Sequence, residues 1–370
     1  MHLSHFFASL YVQEKMSDYL LGGCLPSEIM KKILLALPVE SIGRARCVNK
    51  AWHTLLSSHS FIMMHAQRNL QSMTIVALET LNGNFDVRDL WSPTNTPIID
   101  CDDLFILRSL GSNCAPSESF WWPQYAAIAS SQGLVCYFMK DPQGNILRIT
   151  NLITEKYVGV RGLRNMEHLL GFYFEPDTCN FKIMAMSQKG VFLYEFSTNA
   201  WKSIQPQVSG EDYYYITEHI APWAPYIACA KGKCYFNSVY DYKHLVFDMV
   251  NEEWKTIIDL PNGVYGRIQA WEDRVYVVNQ CLEPETLSIW VLEEDRWVET
   301  INIDVRNISG WGFFPVIFHN DMLFLVDHPK VFIYSIKSAS VEDVIDLEDS
   351  FGSPHFFAYK PTLFHIPNPA

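Results

Sequence analysis

The sequence predicts a mostly β protein that has a small helical module near its N-terminus. Apolar residues recur with a helical period over residues 24–65, and with a period of two from about residue 73 onward. A strand–turn–tryptophan unit then repeats along the second half of the chain. The predicted units are an N-terminal extension at 1–23, the helical module at 24–70 and a large β domain at 71–370. This last region is long enough for a single all-β domain.

The helical module offers more apolar surface than it can bury by itself. Pro26 suits the first turn of a helix, where its missing N–H is not needed, and Pro38 ends that helix. Between the two prolines lies one broad apolar stripe, formed by Ile29, Ile33, Leu34 and Leu37. Two shorter helical elements follow, around Ile42 and around Trp52. A module of this size rarely gains more than about 3–5 kcal/mol from its own core, so the surplus apolar surface predicts a partner.

Two sequence signatures repeat in the β domain. The first is an apolar strand, a polar turn and a tryptophan, with copies at Trp201, Trp254 and Trp297, which lie 53 and 43 residues apart. A fourth copy places Val341 in the tryptophan position, 44 residues further on. The second signature is a polar tight turn that leads into an aromatic strand, and its aromatic residues are Tyr235, Tyr276 and Phe324. Two signatures that recur together indicate a structural repeat.

A repeat of about 40–50 residues built from four short strands is typical of a β-propeller blade. We expect the three tryptophans to be largely buried in equivalent places, where each packs its blade on a neighbour. Residues 130–160 form a weaker copy with Tyr157 in the tryptophan position, and residues 73–91 form the first blade. The stretch 356–366 would return a strand to that first blade and close the ring. The sequence therefore predicts six blades, with seven as the alternative count.

The helical module resembles an F-box motif. The resemblance rests on Leu25-Pro26-x-Glu28-Ile29, Ile33-Leu34-x-x-Leu37-Pro38 and Arg46-x-Val48-x-Lys50-x-Trp52, followed by Leu55-Leu56 and Phe61. An F-box implies docking on a Skp-type adaptor, and through it on a cullin–RING ubiquitin ligase. By position, the residues that would face the adaptor or support that face are Leu25, Pro26, Ile29, Ile33, Leu34, Leu37, Pro38 and Val39. A helical cap that packs only on the rest of this chain is the alternative interpretation.

The whole chain resembles the plant F-box/kelch-repeat proteins, including the Unusual Floral Organs and Hawaiian Skirt class. Besides the F-box, the resemblance rests on SSQGLV at 130–135, on NLIT at 151–154 and on residues 171–184, which are similar to the F-box-associated domain of plants. It implies a kelch-type propeller, although the glycine doublet typical of kelch blades is missing from the β domain. Kelch propellers also include copper oxidases, whose ligands are tyrosine, cysteine and histidine, so an enzyme is a third interpretation.

The charge of the chain is unevenly distributed. The formal net charge is −13, and residues 1–68 carry +3, which leaves −16 for the remainder. An acidic body of this kind repels nucleic acid and anionic membrane surfaces, so we expect neither as a direct partner. It would suit a basic protein target, although acidity is also a common means of staying soluble.

The cysteines and the hydropathy pattern indicate the compartment. The nine cysteines are scattered and include no C-x-x-C pair, which favours a reducing environment. No apolar run reaches the roughly 18 residues that a membrane-spanning helix needs. We therefore expect the protein in the cytoplasm, the nucleus or both.

No motif in the sequence predicts catalysis or a cofactor. H-E-x-x-H, G-x-S-x-G, the P-loop and G-x-G-x-x-G are all missing, which argues against the common hydrolase and nucleotide sites. The acidic cluster at 100–103 could hold a cation, but such a cluster is more often a solvated turn. We predict no metal site and no cofactor.

Aromatic residues outside the repeat are the candidates for binding a target. Rings displayed on loops anchor many protein interfaces. These residues are Trp121, Trp122, Tyr213, Tyr214, Tyr215 and Trp223. The alternative is that the rings fill the spaces between blades.

Two functions from different classes fit these observations. The first is the substrate-receptor subunit of a Skp–cullin–F-box ubiquitin ligase, which is itself non-catalytic. The second is a non-degradative scaffold whose propeller binds a partner such as a transcription regulator.

Overall fold

The computed structural model describes most of the helical module and of the β domain. The described residues are 27–68, 74–81, 84–91, 128–141, 144–154, 156–163, 166–187, 189–204, 228–236, 245–256, 260–261, 264, 266–271, 274–281, 286–304, 306, 314–319, 322–327, 330–346 and 355–366.

Four short helices form the N-terminal module. They are α1 (Ser27–Leu35), α2 (Val39–Ala45), α3 (Lys50–Leu56) and α4 (His59–Arg68). Pro38 is the N-cap of α2, so it separates α1 from α2 as the sequence predicts. Asn49 caps α3, because its Oδ1 accepts a hydrogen bond from the backbone N–H of Trp52 at 2.9 Å.

The β domain contains five four-stranded antiparallel sheets, which are the blades of a propeller. Blade 1 is β3 (Ile128–Ser131), β4 (Leu134–Asp141), β5 (Gly144–Thr150) and β6 (Tyr157–Arg161). Blade 2 is β7 (Met166–Glu175), β8 (Asn180–Ser187), β9 (Gly190–Glu195) and β10 (Ala200–Ile204). Blade 3 is β11 (Ala228–Ala230), β12 (Lys233–Phe236), β13 (Leu245–Asp248) and β14 (Glu253–Thr256). Blade 4 is β15 (Gly266–Trp271), β16 (Arg274–Cys281), β17 (Thr286–Glu293) and β18 (Arg296–Asp304). Blade 5 is β19 (Phe314–His319), β20 (Met322–Asp327), β21 (Lys330–Ser335) and β22 (Ser340–Asp346).

Three more strands form a smaller sheet, and they are β1 (Thr74–Leu81), β2 (Asn84–Trp91) and β23 (His355–Tyr359). Their order in the sheet is β2-β1-β23. The pairing of Thr74 with Tyr359 confirms that the C-terminal strand returns to the first strands of the domain. The first strands of successive blades lie side by side from β3 to β19, and β23 lies beside β3.

The predicted blade count is wrong for the described residues. The structure shows five four-stranded blades, not six or seven, together with this three-stranded sheet. The prediction counted residues 73–91, completed by a strand from 356–366, as the first blade, but the described sheet there has only three strands, two from 74–91 and β23 from the other end of the chain.

The three tryptophans occupy equivalent places, as the repeat predicts. Trp201, Trp254 and Trp297 are each the second residue of the fourth strand of a blade, and each pairs with the third strand. Each packs on the apolar cluster that its blade shares with the preceding blade. All three indoles are mostly, though not completely, buried, which agrees with that expectation. The fourth strand is the outer edge of a blade, so one side of each indole meets solvent.

The core of the propeller lies between successive blades. Separate apolar clusters join blade 2 to blade 3, blade 3 to blade 4, and blade 4 to blade 5. The aromatic residues of the second signature are buried in the second strands of blades 3, 4 and 5, and they are Tyr235, Tyr276 and Phe324.

The turn between the third and fourth strands has a recurring side-chain cap. In blade 1 the Oδ1 of Asn151 accepts hydrogen bonds from the N–H groups of Ile153 and Thr154, at 2.9 and 3.1 Å. In blade 3 the Oδ1 of Asp248 accepts from Val250 and Asn251, both at 3.0 Å. These are Asx turns, which let a short polar side chain set the backbone of a tight turn.

Candidate functional site

The first helix of the module presents two apolar stripes in different directions. Met30 and Leu34 of α1, together with Leu37 just after the helix, are buried in the core of the module. Ile29 has 44% of its surface exposed, and Ile33, one turn later, is half-buried. Because residues four apart lie on one face of a helix, Ile29 and Ile33 form an apolar stripe that is open to solvent. We call this pair the α1 stripe.

A compact core fixes the position of α1. Side chains from all four helices are fully or almost fully buried in it, and they include Leu34, Ile42, Trp52, Leu56 and Phe61. The Arg46 guanidinium donates through Nη2 to the carbonyl oxygen of Leu56 at 2.9 Å. This bond ties the residue that follows α2 to the end of α3, so the module is a rigid support for the α1 stripe.

A buried histidine closes the C-terminal end of α1. His65 is 1% exposed, and its Nε2 lies 2.9 Å from the carbonyl oxygen of Leu37, which accepts the proton that Nε2 carries. The imidazole also stacks on Phe61, with 6.1 Å between ring centroids. Burial lowers the pKa of His65, and the charge of Arg46 lowers it further, whereas the bond to Leu37 acts in the opposite direction. His65 is therefore a neutral hydrogen-bond donor to the Leu37 carbonyl, which lies just beyond the end of α1.

Two other exposed apolar residues flank the second helix. Pro38 is exposed at the start of α2, and Val48 is 41% exposed in the turn before α3. Val48 belongs to the sequence pattern but was not among the residues predicted to face a partner. Its position just before the Asn49 cap leaves it outside the packed core, which sequence periodicity does not reveal.

The helical module also packs on the propeller. The core of the module is continuous with an apolar cluster that contains residues of blades 1 and 2 and of the chain end. We call residues 360–366 the C-terminal segment, whose Leu363, Phe364 and Ile366 are buried in this shared cluster. Phe364 packs edge-on against Phe174 of blade 2, with 5.3 Å between ring centroids.

The C-terminal segment is held by the side chain of one asparagine. The Nδ2 of Asn151 donates to the carbonyl oxygens of Thr362 and Phe364, both at 3.0 Å, and Asn151 is completely buried. Thr362 in turn donates through Oγ1 to the carbonyl oxygen of Gln132 at 3.1 Å. Gly133 leaves room for this contact, because a Cβ there would overlap Thr362 Oγ1 and the carbonyl oxygen of Lys360.

The junction between module and propeller is rich in basic groups. Burial lowers the pKa of His365, and nearby Lys156, Arg46 and His53 lower it further. At the exposed side of this junction, Nδ1 of His59 in α4 lies 3.8 Å from Sγ of Cys179 in blade 2.

The structure places the predicted adaptor-facing residues in three groups. Ile29, Ile33 and Pro38 are exposed or half-buried, whereas Leu34, Leu37 and Val39 are buried beneath them. Leu25 and Pro26 lie outside the described residues. The residues predicted to bind a target also lie outside the described part of the chain, and they are Trp121, Trp122, Tyr213, Tyr214, Tyr215 and Trp223.

The described residues contain no group of three or more histidine, cysteine or acidic side chains arranged to hold a metal ion. The acidic cluster at 100–103 is not among them. Among the helices that the structure describes, none has the length and apolar character needed to cross a bilayer.

Comparison with known proteins identifies the helical module. Residues 23–63 match the family model of the F-box domain. The chain is 20% identical to F-box protein At5g49610 of Arabidopsis thaliana, over 92% of this chain and 98% of that protein. It is 48% identical to F-box/kelch-repeat protein At3g23880 of the same plant, over 45% of each chain. It is also 20% identical to F-box/kelch-repeat protein At3g61590, over 95% of this chain and 85% of that protein.

The protein therefore consists of an F-box domain followed by a β-propeller. The relatives that it resembles along most of its length are plant F-box proteins.

Proposed function

We propose that this protein is a substrate-receptor subunit of a Skp–cullin–F-box ubiquitin ligase. The F-box module docks on a Skp-type adaptor, and the propeller recruits the protein to be ubiquitinated. The subunit is non-catalytic and acts by holding its target near a ubiquitin-loaded enzyme elsewhere in the complex. The observation that carries the proposal is an F-box whose α1 stripe is open to solvent while its core is continuous with that of the propeller.

The exposure of each residue suggests how the adaptor-facing set divides. Ile29, Ile33 and Pro38, together with Leu25 and Pro26, contact the adaptor directly. Leu34, Leu37 and Val39 support this surface from beneath, since each is buried. Val48 extends it, because it is exposed to nearly the same degree as Ile29.

The shared core supports a fixed geometry between the two modules. Burial of the C-terminal segment against the F-box leaves little freedom for relative rotation. A target on the propeller would then be presented to the ligase in a constant orientation, which favours an efficient intramolecular transfer.

The target and the cellular location are proposed from charge and from the cysteine pattern. The acidic body suits a basic protein target that is recognised by aromatic loops of the propeller, with the subunit in the cytoplasm or the nucleus. We also propose that the protein belongs to the Unusual Floral Organs and Hawaiian Skirt class of plant F-box proteins. Its similarity to two F-box/kelch-repeat proteins supports this placement.

The test is co-purification with a Skp-type adaptor. Replacing Ile29 by Asp puts a charge into the α1 stripe, and we expect adaptor affinity to fall at least tenfold, or by about 1.4 kcal/mol. The module should stay folded, since 44% of Ile29 is exposed in the free protein.

Val250 provides a matched control. It is an aliphatic residue that is 46% exposed on a turn of blade 3. Val250→Asp should leave adaptor binding unchanged. Equal binding by the native protein, Ile29→Asp and Val250→Asp would refute the proposed docking surface.

The alternative is a scaffold that binds the same adaptor but does not cause degradation. A substrate receptor should lower the abundance of its propeller-bound target, and proteasome inhibition should restore it. A target whose abundance is unaffected by the Ile29→Asp variant and by the inhibitor would favour the scaffold.

A further inference from the structure

Two cysteines form a close pair on the first hairpin of blade 3. Cys229 on β11 and Cys234 on β12 are direct cross-strand partners. Their sulfur atoms lie 3.1 Å apart, so one thiol donates to the other. Neither residue belongs to the F-box surface or to the repeated tryptophan signature.

The hairpin geometry suits a covalent bond between the two sulfurs. The strands are joined by a two-residue turn in which Lys231 and Gly232 have φ of 50° and 73°. In such a hairpin the pair next to the turn is hydrogen-bonded, so the following pair, Cys229 with Cys234, is the non-hydrogen-bonded type. Its Cα atoms are typically about 4.5 Å apart, within the range of about 4.4–6.8 Å that disulfides use.

The neighbouring blade leaves space for this pair. Gly171 lies on β7 of blade 2, at a register shift of the strand. A Cβ at Gly171 would overlap Sγ of Cys234 and lie 2.9 Å from Sγ of Cys229. The glycine therefore accommodates both sulfurs where the two blades meet.

We propose that Cys229 and Cys234 form a reversible disulfide when the protein meets a peroxide-class oxidant. Cys229 is half-buried and reacts first, whereas Cys234 is completely buried. With hydrogen peroxide as the oxidant, the Cys229 thiol attacks the O–O bond and becomes a sulfenic acid, with release of one water.

The second step joins the two sulfurs. Cys234 attacks the sulfenic sulfur, and its proton leaves with the sulfenic hydroxyl as a second water. Burial raises the pKa of Cys234, which makes it the less reactive of the two thiols toward the peroxide and places it in the second step. In total, two S–H bonds and one O–O bond are broken, one S–S bond and two waters are formed, and the peroxide takes up two electrons.

Peptide mapping of the whole chain tests the proposal. Lys231 and Lys233 lie between the two cysteines, so trypsin separates them into peptides 203–231 and 234–243. Each peptide contains a single cysteine. After treatment with hydrogen peroxide and blocking of free thiols, we expect the two peptides to be linked, and dithiothreitol to separate them again.

The variants distinguish this pair from general oxidation. Disulfide formation lowers the intact mass of the protein by two hydrogen atoms. We expect no such decrease in Cys229→Ala. Cys47→Ala, which removes an exposed cysteine of the F-box, should still show the decrease. In Cys234→Ala, a sulfenic acid at Cys229 should accumulate and react with dimedone. The proposal is overturned if the native protein gives separate peptides with oxygen added to Cys229, or a disulfide that involves other cysteines.

Discussion

At the scale of the residue, the equivalent tryptophans of blades 2 and 3 differ in their hydrogen-bond partners. The indole Nε1 of Trp201 donates to the carbonyl oxygen of Arg161 in the preceding blade at 3.1 Å. Trp254 packs on Phe247 and Phe236, with ring centroids 5.0 and 5.5 Å away. Its buried Nε1 has no hydrogen-bond partner among the described residues. The two positions therefore share packing but differ in hydrogen bonding.

Because of this difference, we expect replacement by phenylalanine to destabilise the protein more at Trp201 than at Trp254. Trp201→Phe removes both ring area and the bond to Arg161, whereas Trp254→Phe removes ring area alone. We expect Trp201→Phe to lower the free energy of unfolding by about 0.5–1 kcal/mol more than Trp254→Phe. Urea unfolding of the two variants measures the difference. Equal losses would mean that the Trp201 bond contributes nothing to stability.

His65 predicts a dependence of stability on pH. Its pKa is lowered in the folded protein, so folding favours the neutral imidazole, and the stability it contributes is fully present above the unfolded pKa of about 6.5. This contribution decreases as the pH falls below that value toward the folded pKa. Replacing His65 by Gln keeps a donor for Leu37 but removes the titration.

The measurement is thermal unfolding between pH 7 and pH 5. We expect the native protein to lose more stability than His65→Gln on this acidification. His365 also has a lowered pKa, so it too makes the folded protein less stable at acidic pH. This effect is present both in the native protein and in His65→Gln, and it therefore does not account for a difference between them. An identical pH dependence in the two proteins would exclude His65 as a titrating group.

At the scale of the element, the C-terminal segment links three parts of the molecule. It follows β23, which completes the three-stranded sheet, and it packs on blade 2 and the F-box. Asn151 holds it with two donated bonds and caps its own turn with two accepted bonds. One buried amide therefore couples the turn of blade 1 to the end of the chain.

Substitution of Asn151 can separate its two roles. Asn151→Asp keeps the oxygen that caps the turn but loses both donors to the C-terminal segment. We expect it to cost at least about 2 kcal/mol, because two buried carbonyls lose their partner. Hydrogen exchange should then increase in residues 360–366, with the Asx turn at 151–154 still protected. Thr154→Ala, in the same turn, provides a control that should leave the segment protected.

At the scale of the whole molecule, the F-box and the propeller share one apolar cluster. Buried residues of all four helices belong to the same cluster as residues of blades 1 and 2. Domains joined only by a flexible linker would each have a separate core. This continuity predicts that the F-box and the first two blades unfold together.

A substitution at the junction tests this cooperativity. Phe364 is 2% exposed, packs on blade 2 and belongs to the apolar cluster that also contains the F-box core. We expect Phe364→Ala to cost about 3–5 kcal/mol through lost packing and a cavity. Protection against hydrogen exchange should fall in both the F-box and blade 2. Loss of protection in the propeller alone would show that the F-box is stable independently.

The sequence by itself determined the order of the modules and the equivalence of the three tryptophans. These features follow from local pattern: helical and strand periods, prolines that end helices, and polar turns at regular spacing. Periodicity also predicted the apolar character of α1. It could not divide that helix into the buried Leu34 and the exposed Ile29, because the division depends on which neighbours the helix meets.

Tertiary structure decided the features that depend on residues far apart in the chain. The bond between His65 and Leu37 spans 28 positions, and the bond between Asn151 and Thr362 spans 211. The sequence predicted that the C-terminal strand returns to the first strands of the domain, but not that the described sheet formed there has three strands instead of four. No local pattern encodes the two hydrogen bonds, because each exists only after the chain has closed on itself and excluded water from the space between the paired elements.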